Sequence, residues 1–176
     1  MEELIQQLKL KDAVAFNQVM RMYKNPIFNY LNLVMGNREL AEELTQDTFV
    51  KVYFKAQTLK TGNLKAWIYA IATNLARSEY RKSKMKKLLS LGQANDNHFA
   101  FNPGYEKQLL LEQVLGTIPE KYRLPLVMKE QDNFSLEEIA AILNKPLGTV
   151  KSLIFRGRQL LRRQTVPGDN GGPDHE

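Results

Sequence analysis

The chain has 176 residues, of which 43% are hydrophobic, and its formal net charge is +6. This length allows one domain or two small ones, and the positive charge suits a polyanionic partner, either a nucleic acid or an anionic membrane surface. The absence of cysteine excludes a disulfide framework and thiolate metal ligands. No run approaches the ~20 apolar residues that cross a bilayer, and the acidic, amphipathic N-terminus is unlike a signal peptide. We therefore expect a cytoplasmic protein with no membrane insertion.

Residues 1–87 follow a helical period and predict an N-terminal helical domain. Apolar side chains recur about every 3.6 residues as far as Val34, and Gly36 and Asn37 then end the run. Pro26 predicts a kink or a break within this stretch, because proline has no amide donor.

The next predicted helix carries the one concentrated acidic surface of this basic chain. Its packing positions are predicted to be Leu40, Ala41, Leu44, Thr48, Val52 and Phe54. Its other face holds Glu39, Glu42, Glu43, Gln46 and Asp47. Such a face is either a solvated helix surface or a docking surface for a basic partner, and the pattern alone leaves both interpretations open.

A polar turn at residues 58–63 precedes a predicted helix over residues 64–82. Its buried stripe is predicted at Trp67, Ile68, Ile71, Ala72 and Leu75. Off this stripe or at its edge lie Tyr69, Thr73, Arg77, Tyr80 and Arg81. Aromatic side chains interleaved with basic ones suit stacking on unpaired bases and contact with phosphates, and polar turn residues could hold a base pulled from the stack. The basic residues of the stretch 77–87 are either a solubilising helix end or part of this track.

Between residues 88 and 105 the helical pattern disappears, and Asn, Gly, Asp and Pro indicate a flexible linker. A second helical domain is predicted over residues 106–165, followed by a disordered Gly- and Pro-rich tail over residues 166–176. No segment alternates as a strand would, so the predicted fold class is all-α, with two small helical domains joined by the linker.

The second domain ends in a helix-turn-helix pattern. Ser135 is a good N-cap, and Glu138 can return the bond as a capping box. Asn144, Pro146 and Gly148 predict the turn, and Thr149 is predicted to cap the second helix. A short helix, a tight turn and a basic second helix are typical of a helix that enters the major groove.

The second helix of this motif separates into two arcs at about 100° per residue. The predicted core arc is Val150, Leu153, Ile154, Gly157, Leu160 and Leu161. The other arc is Lys151, Ser152, Phe155, Arg156, Arg158, Gln159, Arg162 and Arg163. This second arc is cationic, has no acidic residue and carries one aromatic side chain, which favours DNA binding over a merely solvated face.

Catalysis has little support in the sequence. The histidines, His98 and His175, lie in the predicted linker and tail, and neither GxxxxGK nor GxGxxG occurs. We therefore expect no catalytic residue, no metal site and no cofactor.

The order of these elements resembles the extracytoplasmic-function (ECF) group of bacterial sigma factors, the promoter-specificity subunits of RNA polymerase. The segment AEELTQDTFVKVY (residues 41–53) looks like the polymerase-binding helix of that family. Residues 63–82 are similar to its segment for the −10 promoter element, and residues 118–161 resemble its domain for the −35 element. The resemblance implies core RNA polymerase and promoter DNA as partners, with an anti-sigma factor as a possible third.

The resemblance also implies roles for individual residues. The clamp of the polymerase largest subunit would be bound by Glu43, Gln46 and Asp47. The −10 element would be contacted by Asn63, Arg77, Arg81 and Lys82, with Asn63 capturing a flipped base. The −35 element would be contacted by Lys129, Lys151, Ser152, Phe155, Arg156 and Arg158, with Lys129 clamping a phosphate. The family often has Arg where this chain has Leu153, so one expected cationic contact is absent.

Two other classes remain open at this point. A conventional regulator would bind duplex DNA as a helix-turn-helix dimer without polymerase. A helical RNA-binding or membrane-surface protein would show no promoter preference.

Overall fold

The computed structural model describes residues 1–60, 62–89 and 106–165, and the regular structure in these ranges is helical. The helices are α1 (Glu2–Lys9), α2 (Ala13–Met35), α3 (Arg38–Lys55), α4 (Leu64–Leu89), α5 (Glu106–Thr117), α6 (Glu120–Glu130), α7 (Leu136–Leu143) and α8 (Leu147–Thr165), with a 3-10 turn at Ala56–Thr58. The all-α prediction is confirmed. We name α1–α4 the N-terminal module and α5–α8 the C-terminal module. The predicted linker and tail, with both histidines, lie largely outside the described residues.

Local capping sets the ends of α2 and α3. The Asp12 side chain accepts a hydrogen bond from the Ala15 amide at 2.8 Å, and Gly36 ends α2 in the left-handed region. Asn37 then caps α3 through the Leu40 amide. Of the kink or break predicted at Pro26, the break is absent, because α2 continues through this residue. A proline removes a single ladder bond, and the buried residues that follow, including Ile27, hold the helix in place by packing.

The hydroxyl of Tyr30 on α2 lies 2.9 Å from that of Thr73 on α4, and the Tyr30 and Tyr69 rings pack 5.1 Å apart. Tyr69 and Thr73 were predicted to lie off the buried stripe of α4 or at its edge, yet both are fully buried. The reason for Tyr69 is tertiary, since the ring of Phe134 from the C-terminal module packs against it at 4.8 Å. The helix α4 is therefore covered on more than one side.

The helix-turn-helix forms as predicted from α7 and α8. Ser135 Oγ accepts from the Glu138 amide, and Glu138 Oε2 accepts from the Ser135 amide, which completes the capping box. Asn144 ends α7 in the left-handed region. The predicted cap at Thr149 is wrong, because α8 already begins at Leu147 and the carbonyl of Pro146 accepts the Val150 amide. A proline suits the start of a helix because its amide position needs no partner there.

Arg123 joins the two modules from within the core, where its side chain is 5% exposed. Its guanidinium donates to the carbonyls of Gly116 and Ile118 at the end of α5. It also donates to the carbonyl of Val34, in the last turn of α2, at 2.5 Å. One cation therefore satisfies terminal carbonyls of helices from both modules, where the helix dipoles favour positive charge.

Candidate nucleic-acid interface

The two arcs predicted for α8 are present in the structure. Val150, Ile154 and Gly157 are buried. The members of the cationic arc, including Lys151, Ser152, Arg156 and Arg158, are exposed. The ring of Phe155 is 62% exposed, so it is available for an apolar contact on this face. The helix thus presents a continuous basic face with one apolar contact point.

A shallow, open depression of about 350 Å³ lies along the surface of α8. It is lined by Gly148, Thr149, Ser152, Leu153 and Arg156. Leu153 is half-buried, so it lies at the border between the core and this surface. Leu153 therefore contributes an apolar surface beside Arg156.

Two residues of α6 hold the cations of α8 in place. Glu130 Oε1 accepts hydrogen bonds from Nε and Nη2 of Arg158, at 2.8 and 2.6 Å. Hydrogen bonds from Arg156 and then from Lys121 lower the pKa of the Tyr122 hydroxyl. Sequence reasoning missed Tyr122 and Glu130, because they come from a different helix and no local spacing connects them to α8.

Gly157 lies at a close contact between α6 and α8. A Cβ added there would lie 3.2 Å from the Tyr122 carbonyl oxygen and 3.4 Å from Leu126 Cδ2. The absence of a side chain therefore sets how closely the basic helix approaches its support. Lys129, also on α6, is half-buried and donates to the Phe134 carbonyl at 3.2 Å.

The other predicted DNA-binding residues lie on or before α4. Asn63 Oδ1 caps α4 by accepting the Ala66 amide at 2.9 Å, while its Nδ2 donates to Glu138 Oε1 of the C-terminal module at 2.8 Å. The Ser135 amide is the main cause of the lowered pKa of Glu138, and Asn63 adds to it.

The cations further along α4 lie near acidic groups. Arg77 is half-buried, whereas Arg81 and Lys82 are exposed. Burial raises the pKa of Glu120 on α6, and Arg77 and Arg81 are close enough to oppose that shift. The hydrogen bond from Lys82 to Glu79, at 2.5 Å, is the first cause of the raised pKa of Lys82. The structure thus places Arg77 and Arg81 of α4 near Glu120, a carboxylate of the C-terminal module.

The acidic face of α3 lies at the surface. The side chains of Glu43, Gln46 and Asp47 are exposed, as predicted. The prediction that Phe54 packs inward is wrong, because it is 67% exposed and Phe49 is the buried ring instead. The Phe54 ring lies against Tyr53, with Lys11 Nζ 5.8 Å from its centroid.

In the described part of the chain, no helix is long and apolar enough to cross a membrane. Within the same ranges, no group of three or more His, Cys, Asp or Glu side chains is arranged to hold a metal ion.

Two family models match the chain. Residues 19–85 match Sigma-70 region 2, and residues 108–161 match Sigma-70, region 4. The fold and its basic helix-turn-helix therefore define a sigma-70-type factor.

Whole-chain comparisons refine the class. The ECF RNA polymerase sigma factor SigW of Bacillus subtilis is 32% identical over 91% of this chain and 94% of its own length. SigE of Mycolicibacterium smegmatis is 31% identical over 84% of this chain and 60% of its own. The solved sigma factor RpoE of Bartonella quintana, in complex with the anti-sigma factor NepR, superposes with a TM-score of 0.76 at 27% identity, over 85% of this chain and 95% of that one. The chain belongs to the ECF family of RNA polymerase sigma factors.

A sigma factor directs core RNA polymerase to promoters, and this is the function of the chain. The dimeric regulator that the helix-turn-helix alone left open is not favoured, because the match extends over region 2 as well as region 4.

Proposed function

We propose a division of labour within this sigma factor, in which residues 106–165 read the −35 element and residues 1–87 bind core polymerase and the −10 element. The observation that carries this proposal is the basic face of α8, which is exposed along its length and rests on a capped α7 and a closely packed α6.

At the −35 element, α8 enters the major groove. Lys151 and Arg156 are exposed donors of the kind that pair with guanine acceptors, and Ser152 can bond to several base edges. The exposed ring of Phe155 suits a thymine methyl group. Leu153 is an apolar residue at a position where ECF sigma factors often have arginine. We therefore propose that this chain prefers guanine less strongly at the base pair facing Leu153.

At the −10 element, the turn before α4 receives a base flipped out of the melted strand, and Asn63 bonds to its edge. Arg77 and, one turn later, Arg81 and Lys82 lie further along α4 and contact phosphates further along the strand.

The acidic face of α3 docks on the clamp of the largest polymerase subunit through Glu43, Gln46 and Asp47. Charge complementarity of this kind mainly sets association rate and specificity. Docking also makes the second DNA contact effectively intramolecular, so two modules that each bind DNA weakly select promoters together.

Three further expectations about the whole chain belong to this proposal. The chain acts by binding and not as an enzyme, it works in the cytoplasm, and an anti-sigma factor binds it. Support for the last comes from the RpoE structure, a complex with NepR.

A charge reversal on α3 tests the docking part of the proposal. Asp47→Lys should weaken binding to purified core polymerase by about tenfold or more, in the range of one interfacial charge pair. Glu3→Lys, an equal change at an exposed position of α1, should bind like the wild type. Equal affinities for all three proteins would contradict the assignment of α3 as the docking helix.

A further inference from the structure

The shallow depression on α8 is lined by residues from one face of the helix. They are Gly148, Thr149, Ser152, Leu153 and Arg156. Positions 148, 152 and 156 are four residues apart and therefore lie one above the other on the helix surface. Since α8 runs from Leu147 to Thr165, the depression lies in its N-terminal half. In a helix-turn-helix, the N-terminal residues of the second helix contact base edges, so the depression lies where a base pair would meet α8.

The apolar part of the depression is Leu153. Its side chain is half-buried, so packing restricts its motion while part of it stays at the surface. A leucine side chain has no donor for the acceptor atoms O6 and N7 that guanine displays in the major groove. The apolar group that a base pair displays there is the 5-methyl group of thymine. Leu153 therefore suits thymine better than guanine.

Ser152 supplies the polar part of the depression next to Leu153. Its hydroxyl donates a hydrogen bond to the Gly148 carbonyl at 3.1 Å. A hydroxyl group has one proton and two acceptor lone pairs, so this bond leaves Ser152 Oγ able to accept but not to donate. The major-groove groups that donate to such an acceptor are the N6 amine of adenine and the N4 amine of cytosine. Ser152 therefore favours a base that carries an amine.

An A·T base pair carries both groups in the major groove, the thymine methyl and the adenine amine, whereas a G·C pair carries an amine without a methyl. We propose that the depression reads one A·T base pair of the −35 element, with the thymine methyl against Leu153 and the adenine N6 amine donating to Ser152 Oγ. This inference rests on the proposed role of α8 at the −35 element. It makes Leu153 a specificity-determining residue rather than a position where a contact is merely lost.

Replacement of thymine by uracil tests the methyl contact without any change to the protein, because uracil lacks only the 5-methyl group. The binding species is the holoenzyme, formed from the full chain and core RNA polymerase, on duplex promoter DNA selected from a randomised library. Each thymine of the −35 element is replaced in turn. At the base pair that faces Leu153, we expect uracil to weaken binding about fourfold, as for one methyl group that is no longer buried.

The variant Leu153→Ala assigns this methyl group to its contact. The variant should bind the thymine and uracil promoters equally at this base pair. Leu160→Ala, at another half-buried position of α8 that does not line the depression, should keep the fourfold difference. A loss of stability weakens binding to both DNAs alike, so the ratio of the two affinities separates a direct contact from a structural effect.

A second base replacement tests the hydrogen bond to Ser152. Purine in place of the adenine of the same base pair removes the N6 amine, and we expect it to weaken wild-type binding about fivefold, as for one hydrogen bond. In Ser152→Ala, which has no acceptor, the same replacement should have little effect. The comparison of wild type with Ser152→Ala cancels the weaker pairing of purine with thymine, which is common to both.

The inference is overturned if no uracil replacement causes a loss that disappears in Leu153→Ala, or if the loss that depends on Ser152 is absent or falls on a different base pair. A methyl effect that disappears in Phe155→Ala instead belongs to that ring and also counts against Leu153. If Arg156→Ala still relaxes the −35 preference in that case, the proposed function stands and this inference alone fails. If neither Arg156→Ala nor any base change in the upstream element alters binding, the proposed −35 contact itself is contradicted.

Discussion

Arg158 on α8 is held by Glu130 on α6 through two hydrogen bonds to one carboxylate oxygen, Oε1, at 2.8 and 2.6 Å. Both side chains are about half exposed, so the pair contributes little to stability, roughly 0–1 kcal/mol. Its effect is on the charge available to DNA, because a paired guanidinium is less free to bind a phosphate.

Neutralising this carboxylate should therefore strengthen DNA binding. For Glu130→Gln we predict tighter binding to a duplex that contains the −35 element, and a slope of log K against log salt steeper by about one phosphate contact. Salt titrations by fluorescence anisotropy measure both. Glu137→Gln, at an exposed position of α7, is the control, and identical slopes for the two variants would exclude this role for Glu130.

The two glycines of α8 form a matched pair. Gly157→Ala places a Cβ 3.2 Å from a backbone carbonyl, so we predict a loss of stability of about 1–2 kcal/mol and weaker −35 binding as α8 moves away from α6. Gly148→Ala meets no atom within 4 Å and should instead gain up to about 1 kcal/mol from helix propensity. Urea unfolding of both variants gives the sign. If the Gly157→Ala protein were more stable than the wild type, the Tyr122 carbonyl would have to move away from the new Cβ, which would contradict a rigid contact.

Replacing the buried Arg123 should lower the stability of the fold. Arg123→Met leaves the carbonyls of Val34, Gly116 and Ile118 without this donor. Since a buried acceptor left unsatisfied costs about 1–3 kcal/mol, we predict a loss of at least about 2 kcal/mol in the free energy of unfolding. Arg163→Met, at an exposed position of α8, should alter the free energy of unfolding by less than about 0.5 kcal/mol. Equal unfolding midpoints for the two variants would show that Arg123 is dispensable.

The stability of the fold should depend on the protonation of Asp132. Burial raises its pKa above the usual value, against the opposing effects of the Tyr69 hydrogen bond and of Lys65. A raised native pKa means that the protonated form is favoured on folding, so this contribution is present at low pH and is lost as pH rises through the native pKa.

Asp132→Asn is the matched variant, since it keeps the shape and cannot ionise. We predict that its stability relative to the wild type increases as pH rises above the usual aspartate pKa. Parallel urea titrations at several pH values measure the difference. A difference that is independent of pH would contradict a shifted pKa at Asp132.

Three features that local sequence determines were predicted correctly, although the break predicted at Pro26 and the cap predicted at Thr149 were wrong. The capping box of Ser135 and Glu138 depends on residues three positions apart, and the two arcs of α8 depend on its own periodicity. The exposed acidic face of α3 followed in the same way. Each of these can be derived from one helix at a time.

Three other features were missed because they depend on contacts between helices distant in sequence. Tyr69 is buried because Phe134 covers it, and Arg123 is a core residue because carbonyls at the ends of α2 and α5 meet at one point. Phe54 fits the apolar period of α3, yet no neighbouring helix covers it. No spacing rule within one segment contains this information.

The most direct test of the central claim is to map transcription start sites on a randomised promoter library, using purified core RNA polymerase with and without the chain. We predict new start sites that share two sequence elements at a fixed separation. Arg156→Ala should relax the preference at the upstream element only. Identical start sites with and without the chain would contradict the central claim.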